Sequence, residues 1–234
     1  MEELLFPGNY VILLKISVLL EVIPLNEQKY LYILFSATPY RMGRMIRTVT
    51  REPYNHVSIA TGEDLTCIYS FARRYYRTPF YGGFVSEDPC RYRHKGRTAD
   101  IRLYRLPLTT GQWNRLETML EDMKLHADRY LYNHLSAAVA PLHLKIRVRH
   151  AFTCAEFTVN VLSHLGFDFD PNRFYTIGSI ASRLCAYHIY TGLFPQKQNR
   201  DTTFFHPHPV AHPFYASARD LLRLFWRRHL QLWY

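Results

Sequence analysis

The chain has 234 residues, enough for one well-cored domain and barely enough for two. A hydrophobic fraction of 48% and a charged fraction of 21% are ordinary for a globular protein and exclude wholesale disorder. The formal charge of +10, from 29 Lys+Arg against 19 Asp+Glu, favours anionic partners such as nucleic acid, phospholipid headgroups or acidic polymers, and carries no information about fold.

In chain order, residues 10–25 form an apolar run interrupted by Lys15 and Glu21 and closed by Pro24. It is shorter than the roughly 20 clean apolar residues a spanning helix needs, and two charges are costly in hydrocarbon. The run therefore reads as an extra strand or helix packed on the domain, with a membrane anchor as the alternative. The acidic start Met1-Glu2-Glu3 is unlike a secretory signal. Residues 30–35, YLYILF, read as a buried strand. Residues 40–51 read as a helix with Met42, Met45, Ile46 and Val49 on one face and four arginines on the other, stopped by Pro53. His56–Thr61 alternates as a strand, with His56, Ser58 and Ala60 on one side and Val57 and Ile59 on the other. Gly62-Glu63-Asp64 is a turn and Leu65–Phe71 a second strand, which together predict a hairpin.

Residues 73–97, rich in Arg, Tyr, Pro and Gly, are expected to form a long loop. Within it Arg73, Arg74 and Arg77 interleave with Tyr75, Tyr76 and Phe80. Such a pattern suits an anionic or aromatic ligand, but more often marks a solvated basic loop. Asp100–Leu106 alternates again, and Thr109 with Gln112 forms a capping box that opens a helix bearing Trp113, Leu116, Leu120 and Met123. Another helix begins near Cys154. Residues 174–193 are mixed, 199–213 irregular, and 215–232 can form a last helix. The order predicts an α+β domain with an antiparallel sheet against helices. The division expected is an apolar extension over 1–29, a domain over 30–198, and a polar connector with a basic amphipathic helix over 199–234. That helix, apolar at Leu221, Leu222, Leu224, Phe225 and Trp226 and cationic at Arg219, Arg223, Arg227 and Arg228, can dock on the domain or lie on an anionic membrane. It is expected to supply no catalytic residue.

The cysteines Cys67, Cys90, Cys154 and Cys185 have neither zinc nor redox spacing and make no disulfide framework, so a reducing, cytoplasmic setting is expected. His206, His208 and His212 are interleaved with prolines and lack Cys or acidic partners, and no phosphate-cradling glycine loop is present. Neither a metal nor a cofactor is expected. The segment Phe152–Leu165 places Cys154, Phe157, Thr158, Val161, Leu162 and Leu165 on one helical face, with Cys154 in the first turn. There the helix N-terminus favours a thiolate, and its N–H groups could hold an oxyanion. Alone, such a cysteine is more readily a small core residue. A thiolate needs a base, and His56 has a rigid mount at a strand start.

Two segments together carry a resemblance. Tyr54-Asn55-His56-Val57-Ser58-Ile59-Ala60, followed later by Phe152-Thr153-Cys154-Ala155-Glu156-Phe157, resembles the permuted NlpC-type papain-like superfamily. That group includes the YiiX-like bacterial proteins and the lecithin retinol acyltransferase relatives. In it the His strand precedes the Cys helix. The flanks Leu34–Pro39, Ile68–Arg73 and Gly82–Val85 resemble an uncharacterised bacterial branch, and the likeness covers roughly residues 30–193. It implies a permuted papain-like fold, Cys154 as nucleophile, His56 as base, and a third polar residue that orients the imidazole. Ser70 aligns at that third position, a departure from the usual His, Glu, Asn or Gln. Glu156, two residues after Cys154 on a helix, points away from the nucleophile. The resemblance implies hydrolysis or acyl transfer at an amide, ester or thioester on a peptide or lipid acyl substrate. The alternative is a catalytically inactive binding module for anionic partners. No specific nucleic-acid partner is expected.

Overall fold

A computed structural model of the protein describes residues 28–195, 201–206 and 211–231. The apolar run 10–25 lies outside them, as does His208. The described elements are β1 (Lys29–Ala37), α1 (Arg41–Thr50), β2 (His56–Ala60), β3 (Ile68–Arg73), β4 (Gly82–Glu87), β5 (Arg93–His94), β6 (Arg97–Thr98), β7 (Asp100–Leu108), α2 (Thr110–Leu125), β8 (Leu131–Tyr132), α3 (His134–Val139), β9 (Ala151–Phe152), α4 (Cys154–His164), α5 (Ile177–Arg183), β10 (His188–Leu193) and α6 (Ala211–Gln231).

The protein is α+β. Six strands pair antiparallel in the order β10-β7-β1-β2-β3-β4. Because side chains alternate across a strand, the sheet presents two apolar faces. Leu31, Ile33 and Phe35 of β1, Val57 and Ile59 of β2, and Phe71 of β3 point to one face, where α2, α4 and α5 cover them with Leu116, Phe157, Leu162 and Ile180. Leu34, Ala60, Ile68, Ile101 and Leu103 point to the other, which is closed by Tyr92 and Phe194, stacked at 4.2 Å. Each fully buried large aliphatic or aromatic side chain contributes about 1.5–3 kcal/mol, so the helix-covered face dominates the packing.

Three expectations are corrected. The stretch 73–97 is not one long loop, because Gly82–Glu87 is strand β4, paired with β3 from Arg73↔Gly82 to Ile68↔Glu87. Two glycines open this strand, and Gly83 lies where any Cβ would overlap the Tyr130 carbonyl. Glycine here reflects close approach of two backbones, not a turn. The arginines of this stretch are not simply solvated either. The Arg73 guanidinium lies 5.7 Å from the Tyr40 ring and 5.8 Å from the Tyr76 ring, and Arg74 donates to the Phe84 and Ala127 carbonyls. Of the three, only Arg77 is exposed. Finally, the second strand of the hairpin starts at Ile68, not Leu65. Leu65 adopts a left-handed backbone (φ 52°) and buries its side chain in the second core. That conformation costs a non-glycine residue about 1–2 kcal/mol, which burial of the leucine offsets.

The capping box at Thr109 and Gln112 is formed and opens α2. The mixed segment 174–193 resolves into α5 and β10. The last helix, α6, packs Leu224 against Leu131, Val148 and Ala151, and Arg227 donates to the carbonyls of Arg129 and Arg149. No helix among the described residues is long and apolar enough to cross a membrane.

Candidate active site

His56 is the first residue of β2, and its position is fixed from the residue before it. Asn55 takes the Thr38 N–H (2.9 Å) and an Arg47 guanidinium N–H (2.6 Å) on its Oδ1, and donates from Nδ2 to Thr38 Oγ1 (2.8 Å). Its own N–H donates to the Ser36 carbonyl. The β1–α1 turn and the start of β2 are thereby tied together at the point where the imidazole leaves the backbone.

The imidazole Nε2 donates to Glu87 Oε1 at 2.7 Å. Glu87 is the last residue of β4 and its side chain is 3% exposed, against 13% for His56. Ser70 Oγ donates to the same oxygen at 2.6 Å. Ser58 Oγ donates to Oε2 at 2.9 Å, and the Tyr92 hydroxyl also donates to Oε2. Four donors converge on a side chain that, ionised, only accepts and has about four lone-pair sites. This is a cage for a carboxylate. Burial alone would raise the Glu87 pKa, but the facing imidazole outweighs it and holds the carboxyl well below its ordinary value. Burial alone would lower the His56 value, and the Glu87 charge with the hydrogen bond to the Cys154 thiol overrides it, raising the imidazole to about 10. Burial and the adjacent carboxylate keep the Tyr92 phenol protonated.

Cys154 opens α4. Thr153 is the N-cap, with a complete capping box to Glu156. Glu156 is further held by Ser136 Oγ at 2.5 Å, so its role is to fix the helix start. The first intrahelical bond runs from Phe157 N to the Thr153 carbonyl, so the N–H groups of Cys154 and Ala155 precede it. The Cys154 side chain is buried on the helix-covered face of the sheet, whereas Ser58 and Ser70 lie on the opposite face. The imidazole, at the end of its strand, is the group that serves both: Nε2 meets Glu87, and the Cys154 thiol lies near enough to help raise the ring's value.

A cavity of about 300 Å³ opens beside Cys154. Ile46, Ala140, Val159, Phe174 and Ile177 supply much of its lining, and Tyr132 borders it next to the thiol. Met45 and Val49 of α1, both largely exposed, belong to the same wall. The apolar face of α1 is thus turned toward this cavity.

The structure brings Cys154 and His56 together. It places Ser70 one step further out: its hydroxyl donates to Glu87, and the ring's partner is Glu87 itself. Sequence reasoning misses Glu87 because the stretch around it has the composition of a loop. The available signal is the apolar pair Phe84-Val85 shortly before Glu87-Asp88, and it does not reveal which strand β4 joins. All four cysteines are free thiols. Cys90 is pushed up to about 12, by burial first and then by Asp88. Among the described residues, no group of three or more His, Cys, Asp or Glu side chains is placed to hold a metal ion.

The His56–Glu87 pair sets an alkaline limit. The imidazole's value is raised on folding, so its contribution is complete below about 6.5, falls as pH rises, and is gone above about 10. Urea denaturation of wild type and His56→Gln between these pH values should show the wild-type advantage declining, by at most about 1.4 kcal/mol per pH unit. A constant difference would mean that the pair is not charged in the folded state.

Comparison of the chain with protein-family models, with curated proteins and with solved structures found no match in any of the three.

Proposed function

We propose that the protein is a cysteine hydrolase or acyltransferase on a permuted papain-like scaffold, acting on an amide, ester or thioester. The observation that carries this reading is the single imidazole held between a caged carboxylate and a thiol at a helix N-terminus. A buried carboxylate with four donors has no packing role that an apolar residue could not fill more cheaply. Its evident chemical effect is to hold a proton on His56.

In this mechanism His56 takes the thiol proton as Cys154 Sγ attacks the substrate carbonyl, and Glu87 stabilises the imidazolium that forms. The oxyanion is received by the N–H groups of Cys154 and Ala155, where the helix dipole adds its field. The imidazolium then protonates the leaving group, giving a thioester on Cys154. Water or an acceptor, deprotonated by His56, attacks that thioester and releases the thiol. The aliphatic and aromatic cavity wall suits a group of apolar character next to the scissile bond, whether a peptide side chain or an acyl chain.

Thiol reactivity tests the reading without a known substrate. Iodoacetamide at neutral pH should modify Cys154 faster than Cys67 and Cys185, although both of those are exposed and Cys154 is buried. Cys90 should react slowest. His56→Ala should remove the advantage of Cys154, a loss of about 100-fold or more. If the exposed cysteines react first and Cys154 stays unlabelled, the scaffold is better understood as a binding module.

A further inference from the structure

The helix α6 uses one face to hold the domain, and among the described residues none covers the other. Ala216, Asp220 and Leu224 point inward and are buried. Arg223 and Arg227 donate to the carbonyls of Asp128, Arg129 and Arg149, clamping the helix across the segments that lead into β8 and β9. On the outward side Tyr215 (71% exposed), Leu222 (70%), Phe225 (57%) and Trp226 (65%) follow the helical period and form a continuous crest. From Phe214 to Leu230 this crest is about 24 Å long at the rise of an α-helix. A monomer that exposes this much apolar surface on one regular element has a use for it.

Charge identifies the occupant. Between residues 214 and 230 the helix carries four arginines and one aspartate. Asp220 is buried and offsets one of these charges through its pair with Arg219, which leaves the helix net positive, with Arg219 and Arg228 bordering the apolar crest. Arg129 and Arg149, on the segments beneath the helix, are exposed as well and add to the same field. A second copy of the chain pairing crest to crest would bring these rims together and oppose like charges. Single-stranded nucleic acid calls for a concave basic groove that tracks the backbone, not a convex helical ridge. A straight apolar crest with Trp and Phe, bordered by arginines, matches the headgroup–acyl boundary of an anionic bilayer.

We propose that the outward face of α6 seats the protein on an anionic phospholipid surface, with Leu222, Phe225 and Trp226 entering the interface and Arg219 and Arg228 meeting the headgroups. The helix lies in the plane of the membrane, and its inward face stays on the domain. This does not depend on the enzymatic reading.

The test is cosedimentation of the full chain with vesicles of phosphatidylcholine alone or mixed with phosphatidylserine. Binding should require phosphatidylserine and weaken as salt is raised. Arg219→Gln and Arg228→Gln should each weaken it roughly fivefold. The combined variant Leu222→Ser, Phe225→Ser, Trp226→Ser should abolish it while keeping the circular dichroism spectrum and the Cys154 alkylation rate of wild type. Absence of wild-type binding, or equal binding by the triple variant, overturns the proposal. So does a triple variant that turns a wild-type dimer into a monomer in size-exclusion chromatography while neither protein binds vesicles, since the crest then pairs with a second copy.

Discussion

Glu87→Gln should slow alkylation of Cys154 at neutral pH by about 100-fold while leaving the protein folded. The amide can turn its oxygen toward His56 and Ser70, which only donate to that side, and its NH2 toward Ser58 and Tyr92. Those two hydroxyls can rotate to accept, so the ring keeps its hydrogen bond and orientation. What the substitution removes is charge. Of the influences that raise His56 to about 10, the Glu87 carboxylate is the largest, opposed by burial. Without it burial prevails, and the imidazole should titrate near or below its ordinary value of 6.5. NMR of histidine-labelled protein reads that shift directly, and a kinetic pH profile should move with it. An unchanged imidazole titration would remove Glu87 from the chain of charge. Glu87→Ala is the harsher change. It leaves His56 buried without its partner and several donors unmatched, and should cost about 3–5 kcal/mol of stability. Comparing the two variants separates loss of the proton-holding charge from collapse of the cage.

The legibility of this site from sequence follows the range of the interactions. Cys154 and the alternation of His56, Ser58 and Ala60 against Val57 and Ile59 were readable because helix and strand periods are local. The capping box at Thr109 and Gln112 was readable for the same reason. The same locality misled at 73–97, where Gly82 and Gly83 resemble a turn to any method that sees only neighbours. The actual reason at Gly83 is the Tyr130 backbone, 47 residues away in the chain, and at Gly82 the Ala72 carbonyl and the Tyr132 side chain. Glu87 carries no local mark of its role, since a carboxylate becomes a cage centre only through Ser58, Ser70 and Tyr92 on separate segments. Ser70 donates to Glu87 and not to the ring. Alignment by position brings it to the imidazole's side of the sheet, but only β4 pairing decides that an acid stands between the two.

Gly83→Ala tests that long-range contact, and should destabilise the protein by about 3 kcal/mol. A Cβ at this position meets the Tyr130 carbonyl oxygen inside van der Waals distance and the carbonyl carbon at 3.2 Å, and both belong to backbone that cannot rotate away. Arg74 Nη2, at 2.9 Å from the same point, could move, but it is the group that donates to the Ala127 carbonyl. Relief therefore requires β4 to part from the segment that runs into β8. The consequence reaches the site from both sides. Four residues beyond Gly83, β4 delivers Glu87, while β8 delivers Tyr132 and pairs through Tyr132↔Phe152 with the strand that leads into Cys154. The alanine variant should thus lose Cys154 alkylation rate as well as stability. Gly111→Ala is the control. It sits in the first turn of α2, where the nearest atom to an added Cβ is Arg115 Nη1 at 3.8 Å, and gains up to about 1 kcal/mol of helix propensity. Urea denaturation and alkylation kinetics on the two variants should diverge in both readouts. Normal stability with normal alkylation in Gly83→Ala would mean that β4 is not held against Tyr130, and the placement of Glu87 beside His56 would lose its support.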